Sequence, residues 1–213
     1  LLVVIGGTWA LQRGWRRLPG QAAAAFASEA YRRGRFGESI EAWSRALDFL
    51  PARLGPTAVV LRGMARLRLW QLARATEDLE AGRRIARLLR REWLGGIDAE
   101  LALAAALLGA ERTSTAQKVA TLEVGHGALI EALVQLGQGA FQPALEVLRS
   151  PEARQCAATL GELVRVLAAW CVFELHQVVI PVDASLLFRE GSGGELLAAW
   201  PGLARFLDST QTR

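Results

Sequence analysis

The densest charge in the chain is a cluster of arginines on one predicted helix: Arg83, Arg84, Arg87, Arg90 and Arg91. Arg83, Arg87 and Arg90 align on one face, because residues three or four apart share a side of a helix. Arg84 and Arg91 lie on an adjacent flank. Such a basic surface can bind lipid phosphates or an acidic protein. Nucleic acid is the weakest option, since no aromatic residues interleave to stack on bases. The alternative is a solvated helix surface paired with neighbouring acids.

Residues that could perform catalysis or bind a metal are few and scattered. His126 and His176 have no Cys, Asp or Glu at metal-ligand spacing in the same short motif. Cys156 and Cys171 form neither a metal motif nor a redox motif. The run Gly191–Gly194 lacks the Gly-Lys-Ser/Thr signature of a phosphate loop. We therefore expect no enzyme activity, no metal and no cofactor.

The composition of the chain favours helices, so we expect helices to position these side chains. Hydrophobic residues make up 52% of the chain with Ala and Leu dominant, whereas aromatic residues make up 7%. The clearest pattern runs from Phe26 to Pro51, where apolar residues recur at helical spacing on both sides of Gly34. This stretch predicts two helices packed as a hairpin.

The hairpin has small residues where its helices meet, a glycine and an aromatic residue at its turn, a second aromatic residue, and a closing proline. In chain order these are Ala27, Gly34, Phe36, Trp43, Ala46 and Pro51. The pattern resembles a tetratricopeptide repeat, although Ser39 stands where that family usually has alanine. Gly63 and Gly82 lie 36 residues after Ala27 and Ala46, close to the family period of about 34 residues. A second hairpin is therefore expected.

Later parts of the chain continue the pattern less regularly. Trp70 replaces the turn glycine of the second hairpin, so we expect a distorted turn. A further hairpin is predicted over 128–148 with its turn at Gly139, and an eroded unit over 97–125 fills the gap. The apolar stretch from Glu152 to Leu175 predicts one long helix that covers the end of the array.

Glycines mark the predicted helix breaks between these hairpins. Gly95 and Gly96 are expected to end one helix, and Asp98 to cap the next. Gly125 and Gly127 are expected to separate the eroded unit from the hairpin that follows.

The family resemblance also implies a groove lined by the first helix of each hairpin. The corresponding residues here are Ser28, Tyr31, Arg32, Met64, Leu67 and Arg68. Some tetratricopeptide domains clamp the C-terminal carboxylates of chaperones with asparagines and lysines. This chain has no asparagine and one lysine, so such a clamp is disfavoured. The mixture of apolar side chains and arginine instead suits a helix or extended segment with apolar anchors and some acids.

The N-terminal residues have the pattern of the end of a membrane helix. Leu1 to Leu11 is nearly all apolar, and Arg13, Arg16 and Arg17 follow at once. A spanning helix needs about 20 residues, so this prediction depends on apolar residues upstream of Leu1. The alternative is a buried first helix of the array.

Charge is distributed unevenly along the chain. Residues 1–100 carry 17 Arg or Lys and 10 Asp or Glu, a net charge of +7, whereas residues 101–213 carry 8 and 11, a net charge of −3. A basic first half beside a membrane anchor favours anionic lipid or an acidic partner. By the positive-inside tendency, the repeats are expected to face the cytoplasm.

Together these patterns predict an all-α fold: a right-handed solenoid of tetratricopeptide-like hairpins with a C-terminal capping helix, preceded by an N-terminal membrane anchor. The predicted anchor spans 1–18, the repeats 21–151, and the capping helices and tail 152–213. The leading hypothesis is a non-enzymatic, membrane-anchored adaptor or accessory subunit that binds protein partners, with anionic lipid headgroups as a further ligand. No nucleic acid or small-molecule substrate is expected. The alternative is a structural subunit buried in an assembly, its groove filled by its own C-terminal segment; an enzyme ranks third.

Overall fold

All regular secondary structure in the described part of the computed structural model is helical, so the predicted all-α class is confirmed. The structure describes residues 19–50, 54–88, 94–109, 124–156, 158–182, 184 and 193–211. The helices are α1 (19–32), α2 (Phe36–Phe49), α3 (Gly55–Arg68), α4 (Leu72–Leu88), α5 (Leu94–Leu107), α6 (Val124–Gly137), α7 (Phe141–Leu148), a 3-10 turn (Ala153–Gln155), α8 (Ala158–His176), α9 (Gly194–Ala199) and α10 (Pro201–Gln211).

Helices that follow one another in sequence pack against each other. The most extensive contact joins α3 and α4, followed by the contacts of α2 with α3, α6 with α7, and α7 with α8. Turns of three residues connect α1 to α2, α3 to α4, and α6 to α7, so the two helices of each pair run antiparallel. Their apolar faces bury one another, which is what stabilises such short helices.

Five helices end in the same way, with a residue in the left-handed conformation just after the last turn. These residues are Gly34 (φ 72°), Trp70 (φ 57°), Gly109 (φ 70°), Gly139 (φ 72°) and Gln177 (φ 54°). At Gly34, its own N–H donates to Tyr31 (3.0 Å) and the next N–H donates to Ala30 (2.8 Å). These two bonds satisfy carbonyl groups that the end of the helix would otherwise leave unpaired.

Trp70 forms the same turn as the glycines, so the distortion expected there is not found. Its N–H donates to Leu67 (3.1 Å), and the N–H of Gln71 donates to Arg66 (3.0 Å). A left-handed conformation costs a non-glycine residue about 1–2 kcal/mol. The indole is only 1% exposed, and burying so large a side chain offsets that cost.

Small residues lie at the close helix contacts where the sequence predicts them. Ala27 and Ala46 are fully buried. A Cβ on Gly82 would stand 2.2 Å from Val60 Cγ2, so α3 and α4 approach closely enough to require glycine at this position. These small residues thus set the distance between the two helices of each of the first two hairpins.

Two of the predicted glycine breaks are wrong. Helix α5 begins at Leu94 and runs through Gly95 and Gly96, so Asp98 lies inside the helix and does not cap it. Helix α6 likewise contains Gly125 and Gly127. Glycine costs a helix interior only about 1 kcal/mol relative to alanine, and the burial of apolar neighbours in both helices outweighs this cost.

The predicted long helix from Glu152 starts later than expected. A 3-10 turn occupies Ala153–Gln155, and α8 begins at Ala158. Beyond α8, residues 177–182 have no regular secondary structure, as the run containing Pro181 predicts.

The predicted membrane anchor, residues 1–18, lies outside the described residues. Within the described ranges, no helix combines the length and the apolar character needed to cross a bilayer.

Candidate partner-binding groove

The predicted groove residues share one place relative to the left-handed turn residue that follows them. Ser28, Tyr31 and Arg32 lie six, three and two residues before Gly34, and the same spacing relates Met64, Leu67 and Arg68 to Trp70. We call these the groove positions. The residues six, three and two places before Gly109 and Gly139 are the equivalent groove positions on α5 and α6. They are Leu103, Ala106, Leu107, Leu133, Leu136 and Gly137.

On α1 the groove positions are partly or wholly accessible. Ser28 is half-buried, and its hydroxyl donates to the Ala24 carbonyl at 2.9 Å. The half-buried Tyr31 ring meets Phe36 edge-on, with ring centroids 5.3 Å apart. Arg32 is exposed and pairs with Glu29 at 2.5 Å. This end of the groove presents an aromatic ring, a hydroxyl and a solvated guanidinium.

On α3 the groove positions divide into one accessible and two buried side chains. Met64 is half-buried. Leu67 is fully buried in the main hydrophobic core. Arg68 is also buried, and it donates to both carboxylate oxygens of Glu100 on α5, at 3.1 and 2.9 Å. Leu67 and Arg68 therefore belong to the packing of α3 against its neighbours and are not open groove walls.

On α5 and α6 the chain places Trp200 against part of its own groove. Trp200, which joins α9 to α10, donates its indole N–H to the carbonyl of Leu107 at 2.7 Å. Beside the ring is a cleft of about 250 Å³ lined by Ala106, Gly109, Leu133, Val134, Gly137, Gln138 and Trp200. Two of these groove positions meet Trp200: Leu107 through its carbonyl, and Gly137, where a Cβ would stand 3.9 Å from Trp200 Cη2.

Helix α10 holds this C-terminal segment (residues 193–211) against α8. Leu203 and Phe206 are fully buried, and the Phe206 ring packs on Phe173 with centroids 5.6 Å apart. Trp170 meets Trp200 edge-on at 6.1 Å. The C-terminal segment is thus part of the main core.

The other end of the same segment reaches α4. The Glu195 carboxylate accepts a hydrogen bond from the N–H of Ala73 at 2.8 Å. Ala73 is the second residue of α4, where backbone N–H groups have no acceptor within their own helix. A carboxylate is the charge that a helix N-terminus favours.

A second ionic group joins three helices and has no counterpart in the sequence predictions. Asp78 on α4 accepts hydrogen bonds from Arg62 and Arg66 on α3, at 2.8–2.9 Å. Arg62 also donates to the Ser44 hydroxyl on α2 at 3.3 Å. Burial lowers the pKa of Arg66, and the charge of Asp78 opposes that shift. The only sequence signal was an acid on the otherwise apolar inner face of α4.

The arginines of the cluster differ in their partners and in their exposure. Arg83 turns toward α5 and pairs with Asp98 at 2.6 Å. Arg84 lies 3.7 Å from Glu80 and its side chain is 70% exposed. Arg87 is exposed. The remaining two arginines of the cluster, Arg90 and Arg91, lie outside the described residues.

The described residues contain no set of three or more His, Cys, Asp or Glu side chains placed to hold a metal ion. His126 is buried on α6, and His176 is exposed at the end of α8. Comparison with protein-family models, curated proteins and solved structures finds no match to this chain. Its function must therefore be inferred from the arrangement of its own residues.

Proposed function

We propose that the chain is a non-enzymatic protein-interaction module: a solenoid of tetratricopeptide-like hairpins that binds a segment of another protein on the groove positions of α1 and α3. The observation that supports this is the contrast between the two halves of the groove. Tyr31, Arg32 and Met64 remain at least partly accessible, whereas on α5 and α6 Trp200 bonds to Leu107 and forms one wall of the cleft beside Ala106, Leu133 and Gly137. The accessible side chains of α1 and α3 leave room for a partner segment.

The open stretch defines the chemistry of that partner. Tyr31 and Met64 offer apolar contacts, and methionine adapts its shape to different ligands. Arg32 offers a solvated guanidinium that can exchange Glu29 for a partner carboxylate. A helix or extended segment with apolar anchors and an acidic residue fits these groups.

The module is proposed to act at a membrane, as an adaptor or accessory subunit of a membrane complex with its repeats on the cytoplasmic side. The support is the apolar run Leu1–Leu11 followed by Arg13, Arg16 and Arg17. The full-length protein should remain in membranes after a carbonate wash. Release into the soluble fraction would contradict this part of the proposal.

Site-specific photocrosslinking in cells tests the groove itself. A photoreactive phenylalanine analogue replaces Met64 in one version of the protein and Phe26 in the other, because Phe26 is exposed and lies on the other side of α1 from Ser28 and Tyr31. A defined protein adduct is expected from position 64 only, and Tyr31→Ala should reduce its yield. Equal adducts from both positions, or none from position 64, would refute binding in the groove.

A second candidate function is a purely structural subunit whose groove is filled by its own C-terminal segment. The full burial of Leu203 and Phe206 in the core favours it. Under this alternative, Tyr31→Ala and Met64→Asp variants would keep every partner, and substitutions on the outer helix surfaces would release them.

A further inference from the structure

We infer that α9 is a built-in ligand, and that a partner helix with the same pattern of an acid, a leucine and a tryptophan binds in its place. The inference rests on the proposed function in one respect, namely that the natural ligand is a segment of another protein. It adds a second binding position, on α4, α5 and α6, and it specifies what occupies that position.

The acidic end of α9 supplies a bond that α4 cannot form by itself. Since Ala73 is the second residue of α4, its N–H has no acceptor within the helix. Glu195 accepts that bond at 2.8 Å although Glu195 is exposed. Any helix that brings a carboxylate to this N-terminus can make the same charge-assisted contact.

The apolar part of this segment includes two buried side chains, Leu196 within α9 and Trp200 directly after it. Leu196 is adjacent to the acid, and Trp200 lies five residues beyond it; both are buried. The Trp200 indole N–H finds its acceptor in the carbonyl of Leu107, so a tryptophan makes a hydrogen bond here that a phenylalanine cannot make. The required pattern is therefore Glu or Asp, Leu at the next residue, and Trp five residues after the acid.

The structure also explains why α9 can leave without unfolding the domain. Helix α9 has only six residues, and the backbone breaks at Trp200 (φ −125°, ψ 73°) before Pro201 begins α10. Helix α10 is held separately, through Leu203 and Phe206. Displacing α9 therefore exposes Leu196, Trp200 and the partly buried Leu197 and Ala199. It ends the contact of Trp200 with Trp170 but leaves the packing of Phe206 on Phe173 in place.

A peptide-binding experiment on the full chain tests this inference. The probe is a fluorescein-labelled peptide of residues 190–200, and fluorescence anisotropy measures its affinity for the wild-type chain and for Glu195→Arg. The arginine repels the positive end of α4, which frees the site more often. The apparent affinity is therefore expected to rise about tenfold. A peptide carrying Trp200→Ala should bind at least tenfold more weakly.

Hydrogen exchange at Ala73 supplies a readout that non-specific adhesion would not change. In the Glu195→Arg variant, the Ala73 amide should exchange quickly, and the unaltered peptide should slow it again. Glu152→Arg, which replaces an exposed acid outside the contact, is the matched control and should bind peptide like the wild type. Trp200→Ala is a second way to free the site.

The inference is overturned if Glu195→Arg and Trp200→Ala, both folded by circular dichroism, bind no more peptide than the Glu152→Arg control. It is also overturned if peptide binding leaves the exchange of Ala73 unchanged. Because neither measurement involves Tyr31, Met64 or a cellular partner, these failures are distinct from a failure of the photocrosslinking test.

Discussion

Arg68 and Glu100 hold each other through two hydrogen bonds, 3.1 and 2.9 Å long, with 10% and 5% of their side chains exposed. They join α3 to α5, two helices that are not consecutive in the chain. Parallel contacts between a guanidinium and a carboxylate require one relative orientation. The pair therefore fixes how the second hairpin meets the helix that follows it.

Removing one member of this pair should destabilise the protein more than removing both. Arg68→Met leaves the Glu100 carboxylate buried without its partner, at an expected cost of about 3–5 kcal/mol. The double variant Arg68→Met with Glu100→Leu should recover most of that loss, since no unpaired charge remains. Urea denaturation measures both free energies of unfolding. A double variant no more stable than the single one would show that the charges do not interact as described.

Trp70 should tolerate glycine better than alanine. Both substitutions remove a buried indole, which costs about 3–5 kcal/mol. Glycine adopts the left-handed conformation freely, so Trp70→Gly should be about 1 kcal/mol more stable than Trp70→Ala. Gly34→Ala isolates the backbone effect, because a Cβ there meets nothing within 4 Å. It should lower stability by a similar 1 kcal/mol or so; melting temperatures in the opposite order would contradict the common turn geometry.

Gly82 and Gly96 should respond in opposite directions to alanine. A Cβ on Gly82 would overlap Val60, so Gly82→Ala should destabilise the protein by about 1–3 kcal/mol. Gly96 is also helical but has open space around it, so Gly96→Ala should stabilise by about 0.5–1 kcal/mol through helix propensity alone. Chemical denaturation of the two variants side by side makes the comparison. Stabilisation by both would disprove the close approach of α3 and α4.

The two cysteines should differ sharply in reactivity. Burial raises the pKa of the Cys171 thiol from 9.0 to about 12, and only a thiolate reacts readily. Cys156 is half-buried, and its thiol donates to the Gly125 carbonyl at 3.2 Å. Iodoacetamide at pH 8.5 should therefore modify Cys156 first, and Cys171 only after unfolding in urea. Mass spectrometry would reveal the opposite order if Cys171 were accessible.

The same shift determines how Cys171 affects stability in alkaline solution. The folded protein holds this proton more tightly than the unfolded chain, whose thiol titrates near 9.0. The contribution is complete below pH 9 and is lost as the pH rises toward 12.

A double variant that reverses two charges tests the exposed arginines of the cluster without changing Arg83, which pairs with Asp98. Arg84→Glu with Arg87→Glu changes exposed residues, so stability should change by less than about 1 kcal/mol. If acidic proteins or lipid headgroups bind here, association should fall sharply, and wild-type binding should weaken between low and physiological salt. Liposome sedimentation with anionic vesicles measures this directly. Retention of the variant at both salt concentrations would mean that the arginines only face solvent.

Helical periodicity was sufficient to predict the class of the fold and the small residues between the two helices of each of the first two hairpins. It failed at Gly95, Gly96 and Gly125, because glycine propensity is a weak local term that burial outweighs. The family resemblance implied that Leu67 and Arg68 would line an open groove, but both are buried. Their burial depends on Glu100 and on later helices, which no pattern within one hairpin reveals.

The site on α4 could not have been predicted from the sequence. Glu195 and Ala73 are 122 residues apart, and a backbone N–H leaves no mark in the residue type. The sequence did raise the possibility of a groove filled by the C-terminal segment. It could not indicate that Trp200 reaches the groove positions of α5 and α6 while those of α1 stay open.

The contact between Ala73 and Glu195 also has a consequence for how the molecule unfolds. An array whose helices touch only their neighbours loses structure one unit at a time from either end. Here a bond between residues 122 positions apart, with the bond from Trp200 to Leu107 beside it, closes most of the chain into a ring. While α9 is in place, the helices within that ring should melt together as one cooperative unit, leaving α1 and α2 as the only hairpin of the described chain able to open alone.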